Sequence, residues 1–255
     1  MIRPDYTLAL YESLLDTALE AGYAFATIED VLTGSEPDGP HVVLRHDVDR
    51  RPRNALLLAR AEADRGITAT YYFRTKTAAP DRLARVESMG HEVGYHYEDF
   101  VRAGGDHDRA HALFAENLAS FREHATVRTV AGHGNLSRYT NIDLWDRGPS
   151  VSEYDLAGDA CKSMDLHGTY AYRSDTDRRW GGTGGPETTP ELIAELEAGE
   201  FDRIAVLAHP SRWTTGALEY VYQLGWDTAA TSTKRAVAGT ARIGTATAKI
   251  REATP

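Results

Sequence analysis

Aspartate and histidine side chains recur where short apolar runs of this sequence end. The residues concerned are Asp47, Asp49, His96, His133, Asp175, Asp177 and His209. Carboxylate and imidazole groups together suit zinc, and also cobalt or nickel. A bound divalent metal lowers the pKa of water and polarises a carbonyl group, while a separate histidine can protonate a leaving group. The set therefore predicts metal-assisted hydrolysis.

Each of these residues has an ordinary explanation when it is considered alone. A single histidine is more often a surface or core residue than a ligand, and an aspartate after a strand often caps a helix or closes a turn. Asp49, for example, could cap a helix that begins at Pro52. The recurrence after nearly every apolar run is what favours a shared site.

The apolar runs predict strands that alternate with helices. Strands are expected at 41–46, 68–73, 92–97, 126–131, 170–173 and 204–207, and helices at 6–22, 52–66, 81–89, 107–124, 189–198 and 216–224. This alternation predicts an α/β fold with a parallel sheet and helices outside it. Active sites of such folds gather at the carboxyl ends of the strands, which is where the candidate residues lie.

Three motifs of the sequence are similar to those of a known family. Residues Leu44–Asp49 (LRHDVD) resemble the first motif of the polysaccharide deacetylases, also called the NodB-homology or carbohydrate esterase family 4 proteins. Residues Gly90–His96 (GHEVGYH) resemble the second motif, and Val206–Pro210 (VLAHP) resemble the last. The order and approximate spacing match from about residue 41 to residue 213.

The resemblance implies a distorted (β/α) barrel of about seven parallel strands that removes acetyl groups from an N-acetylated sugar. It implies that Asp47 is the general base, that Asp49 and His96 bind the metal, and that His209 is the general acid. Either Asp175 or Asp177 would orient His209.

The sequence departs from the family pattern at two places. Phe100 stands where the family has its second metal-binding histidine, so we predict His133 as the third ligand, with Glu98 and Asp99 as alternatives. The arginine motif that follows the fourth strand in the family is absent. Arg45 and Arg74 are the candidates to replace the arginine that steadies the base.

The composition of the sequence argues against nucleic-acid binding and against a metal site built from cysteines. The 255 residues carry a formal net charge of −10, which argues against a general nucleic-acid binder. Cys161 is the only cysteine, so a metal site must be built from other ligands.

The sequence shows neither an apolar signal segment nor a membrane span, and a cytoplasmic protein is expected. We predict one domain over 1–255, in which the helix 6–22 and the tail 226–255 are additions to a core at 41–213. The oligomeric state is not predicted.

Three functions fit these observations. The first is a metal-dependent deacetylase of an N-acetylated sugar or a cytoplasmic glycan precursor. The second keeps the fold but hydrolyses another non-peptide C–N bond, such as a cyclic amide. The third is a catalytically inactive, sugar-binding relative, which the substitution at Phe100 favours and the joint retention of Asp47, Asp49, His96 and His209 disfavours.

Overall fold

All strands in the described part of the chain belong to one parallel sheet. A computed structural model describes residues 4–134, 137–164, 168–176, 178–181, 185–216 and 218–225. The strands are β1 (Ala24–Ala26), β2 (His41–Val48), β3 (Thr70–Phe73), β4 (Glu92–Tyr97), β5 (Thr129–Gly132), β6 (Gly158–Asp159), β7 (Ala171–Ser174) and β8 (Arg203–Ala208). Their order is β6-β5-β4-β3-β2-β8-β7, and β1 pairs with β2 beside this path.

Strand β2 lies at the centre of the sheet. Strand β8 pairs with it along one edge from His41 to His46, while β1 and β3 share the other edge. All eight residues of β2 are buried. Because pairing with β3 continues to Val48, the strand ends two residues later than the apolar run predicts, and Asp47 is part of the strand itself.

Helices connect the strands on the outside of the sheet. They are α1 (Leu8–Glu20), α2 (Ile28–Thr33), α3 (Pro52–Ala63), α4 (Pro80–Ser88), α5 (Asp99–Arg102), α6 (His107–Arg122) and α7 (Thr189–Ala198). Residues 218–225 are also helical. Helix α1 begins at Leu8 rather than at residue 6 because the Thr7 side chain caps it by accepting a hydrogen bond from the Leu10 amide.

The two faces of the sheet carry hydrophobic clusters of different size. Outward residues such as Leu44 and Tyr95 pack with the helices in the main core. The inner face is lined by a smaller cluster that includes Val43, Tyr72 and Ala131. Gly94 is required there, because a Cβ at this position would collide with the Tyr72 ring.

A buried carboxylate ties this sheet to two helices. Glu62 of α3 accepts a hydrogen bond from Tyr11 of α1, another from Tyr71 of β3 at 2.7 Å, and lies 2.7 Å from Nε2 of His46. Burial alone would raise the pKa of Glu62. The neighbouring His46 and His91 and these hydrogen bonds lower it by more, so the net pKa is below its ordinary value. Glu62 therefore remains ionised in the core.

This architecture confirms the prediction of an α/β fold built as a distorted (β/α) barrel. Seven strands form the continuous path of the sheet, and no pairing joins β7 to β6 within the described residues, so the barrel is open there. None of the described helices combines the length and apolar character that a membrane crossing needs. The predicted tail 226–255 lies outside the described residues, and the assignment of a single domain stays a prediction.

Candidate metal and hydrolytic site

Asp47 is held inside the barrel by an arginine from its own strand. Because side chains alternate along a strand, Arg45 and Asp47 point to the same face. The Arg45 guanidinium binds both carboxylate oxygens, with Nε 2.8 Å from Oδ1 and Nη2 3.0 Å from Oδ2. Burial alone would raise the pKa of Asp47, but Arg45 and His96 hold it well below its usual range. Asp47 is therefore ionised and oriented.

Asp49, His96 and His133 converge at the carboxyl edge of the sheet. One ligand atom from each of them lies within 4.8 Å of the others. Nε2 of His133 is 3.4 Å from Oδ1 of Asp49, and Nε2 of His96 is 3.7 Å from the same oxygen. The two imidazole rings stack in parallel with their centroids 5.0 Å apart. The strand ends β2, β4 and β5 thus present one oxygen and two nitrogen ligands to one point.

Hydrogen bonds orient the His96 ring and fix the backbone of His133. Nδ1 of His96 lies 2.9 Å from the carbonyl oxygen of Ala131 and donates to it, and this contact turns Nε2 toward Asp49. The backbone of His133 is fixed on both sides: its amide donates to Tyr97 and its carbonyl accepts from Asn141. Burial lowers the pKa of His133 to about 4, so its ring is neutral at pH 7 and able to bind a metal.

The residues present fit a divalent cation. Oδ1 of Asp49 is buried and accepts no hydrogen bond from any described residue. A buried carboxylate oxygen without a hydrogen bond is costly unless another group compensates it. Two imidazole nitrogens and one carboxylate oxygen form the mixed ligand set that zinc, cobalt and nickel accept.

His209 approaches the same place from β8, which flanks β2 on the side away from β3 and β4. It follows β8, and its Nε2 lies 4.0 Å from Oδ2 of Asp49. Its Nδ1 is 2.5 Å from Oδ1 of Asp175, and its backbone amide donates to Oδ2 of Asp175 at 2.8 Å. Burial would lower the pKa of His209, but the Asp175 carboxylate more than offsets this effect and raises it. Asp175, fully buried, is further held by Arg212, which donates to its backbone oxygen.

Both alternatives for the third ligand are engaged by other side chains. Glu98 forms a two-pronged ion pair with Arg74. Asp99 points into the core, where Tyr95 and Asn117 each donate to it at 2.7 Å. The geometry therefore favours His133. Asp177, the second candidate to orient His209, lies outside the described residues.

Phe100 is a core residue rather than part of the site. Its side chain is buried against His107, with ring centroids 4.6 Å apart, and against Tyr139. The substitution that separates this sequence from the family pattern therefore fills the space between α5, α6 and the loop after β5. Phe100 itself offers no metal ligand, and the candidate third ligand, His133, follows the neighbouring strand β5 instead.

Sequence reasoning left the partner of Asp47 open between two arginines and missed Arg212. The structure places Arg45, not Arg74, on Asp47. The signal was available, since residues two apart on a strand share a face. Arg212 follows His209 within a short 3-10 turn, Pro210–Arg212, and this turn returns its side chain to Asp175. No strand or helix periodicity indicates such a contact.

The similarity of this chain to known proteins lies in structure rather than in sequence. No family model matches the chain, and no curated protein matches it. A wild-type CE4 family pseudoenzyme from Bacillus anthracis is structurally similar, with a TM-score of 0.46 and 12% identity over 76% of this chain. A mutant of that pseudoenzyme with restored enzymatic activity gives a TM-score of 0.42 and 13% identity over 78%. The chain spans 62% and 64% of their respective lengths. Both structures belong to the family whose motifs this sequence resembles.

Proposed function

We propose that this protein is a metal-dependent hydrolase that removes an acetyl group from an N-acetylated sugar or a cytoplasmic glycan precursor. The observation that carries the proposal is the convergence of Asp49, His96 and His133 between an oriented carboxylate, Asp47, and an oriented imidazole, His209. These are the components that amide hydrolysis requires. The acetyl group and the sugar come from the motif resemblance.

Asp49, His96 and His133 would hold the cation, for which zinc is the first choice and cobalt or nickel the next. When bound, the cation supplies Lewis-acid polarisation of the amide carbonyl and activation of water. Asp47 accepts the proton of the attacking water, and it is suited to this because it is ionised. Arg45 keeps both of its oxygens in place during that transfer.

His209 gives its proton to the departing amine. An amine is a poor leaving group until it is protonated, so this step needs an acid on the side of the substrate away from the base. The Asp175 carboxylate stabilises the protonated imidazole and fixes Nδ1, which leaves Nε2 to carry the transferable proton. Asp175 is therefore a positioning residue, and His209 is the catalytic acid.

Metal analysis of the full chain, purified without added metal, tests the site. We expect about one ion per chain in the unmodified protein and little in His96→Ala and His133→Ala. His124→Ala is the control, because this histidine lies near the end of α6 with its side chain 34% exposed. Full metal occupancy in His133→Ala would refute the assignment of His133 as the third ligand. Full metal occupancy in His96→Ala would refute the metal site itself.

Release of acetate from N-acetylglucosamine oligomers, with and without a chelator, tests the reaction. We expect release that stops on chelation and returns when the metal is restored. Hydrolysis of a cyclic amide instead would assign the site to another C–N bond. A near-zero metal content with intact sugar binding would identify an inactive, sugar-binding protein.

A further inference from the structure

We propose that Arg74 is a positioning residue of the candidate metal site, where it competes with the cation for one oxygen of Asp49 and lowers the affinity of the site. This inference rests on the proposed function, because it assigns a further residue to the same metal centre. Arg74 acts through Asp49 and does not bind the cation itself.

A single oxygen of Asp49 faces both the other metal ligands and Arg74. Nη1 of Arg74 lies 3.8 Å from Oδ1 of Asp49. The same Oδ1 lies 3.4 Å from Nε2 of His133 and 3.7 Å from Nε2 of His96. A cation bound to this oxygen therefore shares it with a positive guanidinium.

The loop after β3 fixes the backbone of Arg74 in this position. Oγ1 of Thr77 accepts a hydrogen bond from the Arg74 amide at 3.1 Å and donates to the carbonyl oxygen of Val48 at 2.7 Å. Thr77 is buried, and it ties the segment that carries Arg74 to the end of β2, one residue before Asp49. The approach of Arg74 to Asp49 is therefore built into two neighbouring strand ends.

Glu98 fixes the guanidinium group of Arg74. Its carboxylate binds Nε at 2.9 Å and also binds Nη2, while Nη1 is the nitrogen that faces Asp49. The 3.8 Å separation from Asp49 is too long for a hydrogen bond, so this contact is electrostatic. The side chains of Arg74, Asp49 and Glu98 are only 13%, 21% and 24% exposed, so solvent screens their charges incompletely.

The sign of the effect follows from the charges. Arg74 attracts Asp49 in the metal-free protein, but its positive charge repels a divalent cation at the same oxygen. Glu98 offsets part of this repulsion, because it carries the opposite charge and is bound to Arg74. Loss of Arg74 therefore ends the repulsion and leaves the charge of Glu98 unbalanced, and both changes favour the cation.

The sharing of Asp49 also has a chemical consequence. Groups that contact a metal ligand tune both the affinity of the site and the reactivity of the metal. A carboxylate whose charge is partly neutralised by an arginine donates less charge to the metal. The cation is then held less tightly and remains a stronger Lewis acid.

Zinc titration of the full chain, in competition with a chromogenic chelator, tests the inference without depending on catalysis. Arg74→Met removes the charge and keeps an unbranched side chain, and we expect it to bind zinc at least about tenfold more tightly than the unmodified protein. Arg74→Lys keeps the charge and should bind zinc nearly as the unmodified protein does. A purely structural role would give the opposite sign, because its loss would loosen the site.

Glu98 and an arginine on α3 supply the control variants. Glu98→Gln leaves the charge of Arg74 unbalanced and should weaken zinc binding about tenfold. The double variant, Arg74→Met with Glu98→Gln, removes both charges and should return close to the unmodified protein. Arg60→Met is the matched control and should leave zinc binding unchanged, because Arg60 is an exposed cation that pairs with Asp64.

Two results would overturn the inference: zinc binding by folded Arg74→Met that is no tighter than in the unmodified protein, or equal tightening in Arg60→Met. Thermal unfolding of each metal-free variant checks its fold. If Arg74→Met does not fold, Glu98→Gln carries the test, and unweakened zinc binding in it overturns the inference. An unmodified protein that binds no zinc refutes the metal site together with this inference, whereas one that binds zinc but releases no acetate refutes only the proposed reaction.

Discussion

The buried pair of Asp175 and His209 gives the sharpest prediction. Replacing Asp175 by asparagine keeps the size of the side chain and removes the charge. His209 loses the carboxylate that offsets its burial, so its pKa must fall. The amide also has only one acceptor oxygen, so it cannot accept from both Nδ1 and the backbone amide of His209 as the two carboxylate oxygens do.

The magnitude follows from the geometry. Two unit charges about 4 Å apart attract by about 4 kcal/mol at an effective dielectric constant of about 20. The Asp175 side chain is fully buried and that of His209 is 13% exposed, so solvent screens this pair little. An energy of this size corresponds to about a thousandfold in rate. We therefore expect kcat/KM of Asp175→Asn to fall by about a hundredfold to a thousandfold.

Two measurements check this expectation. The pH profile of acetate release should lose activity at a lower pH in Asp175→Asn, because the acid is deprotonated earlier. The imidazole signals of His209, assigned in NMR spectra by their absence from His209→Ala, should titrate at a lower pH whether or not the protein is active. Asp16→Asn is the control, since Asp16 is an exposed carboxylate paired with Arg65.

The reasoning would be refuted by an Asp175→Asn variant that is folded and titrates like the unmodified protein. It would also be refuted if Asp175→Asn lowered activity in the His209→Ala background as much as in the unmodified protein. In that case Asp175 would act independently of His209.

Three further predictions concern the base, the core and the scaffold. Arg45→Gln should lower kcat more than tenfold while metal content, measured by elemental analysis, is retained. Phe100→Ala should cost about 3–5 kcal/mol of unfolding free energy without loss of metal, as measured by urea denaturation and the same elemental analysis. Glu62→Gln should destabilise the protein at pH 7, and urea titrations should show a smaller difference at lower pH. The pKa of Glu62 is lower in the folded state than in the unfolded state. Its contribution to stability is therefore present above the unfolded pKa and is lost as the pH falls through the folded pKa.

The sequence predicted the framework and most of the candidate site for a physical reason. Alternating apolar runs and helices indicate a parallel sheet, and the geometry of such sheets brings their carboxyl ends together. His96 and His209 lie at these ends, so their convergence followed from topology. The candidate third ligand lies in a loop rather than in a strand, so topology alone did not identify it. His133, Glu98 and Asp99 were all possible from the sequence.

Other features could not be predicted from local patterns. Glu62 reads as an ordinary charged residue on a helix, yet it is fully buried. Its environment comes from three other elements, which carry Tyr11, His46 and Tyr71 and are brought together only in the folded protein. A fully buried carboxylate is tolerated only with such compensation, and no window of sequence contains it.

The alternation of ionisable residues along β2 has a consequence for folding. Arg45 and Asp47 point inward while His46 points outward to Glu62. A slip of one residue would exchange these faces and place His46 inside the barrel. Since both faces carry polar groups here, hydrophobicity discriminates weakly between the two registers. The Glu62 network forms only in the correct register. A buried residue outside the candidate site therefore stabilises the alignment of the strand that carries Asp47.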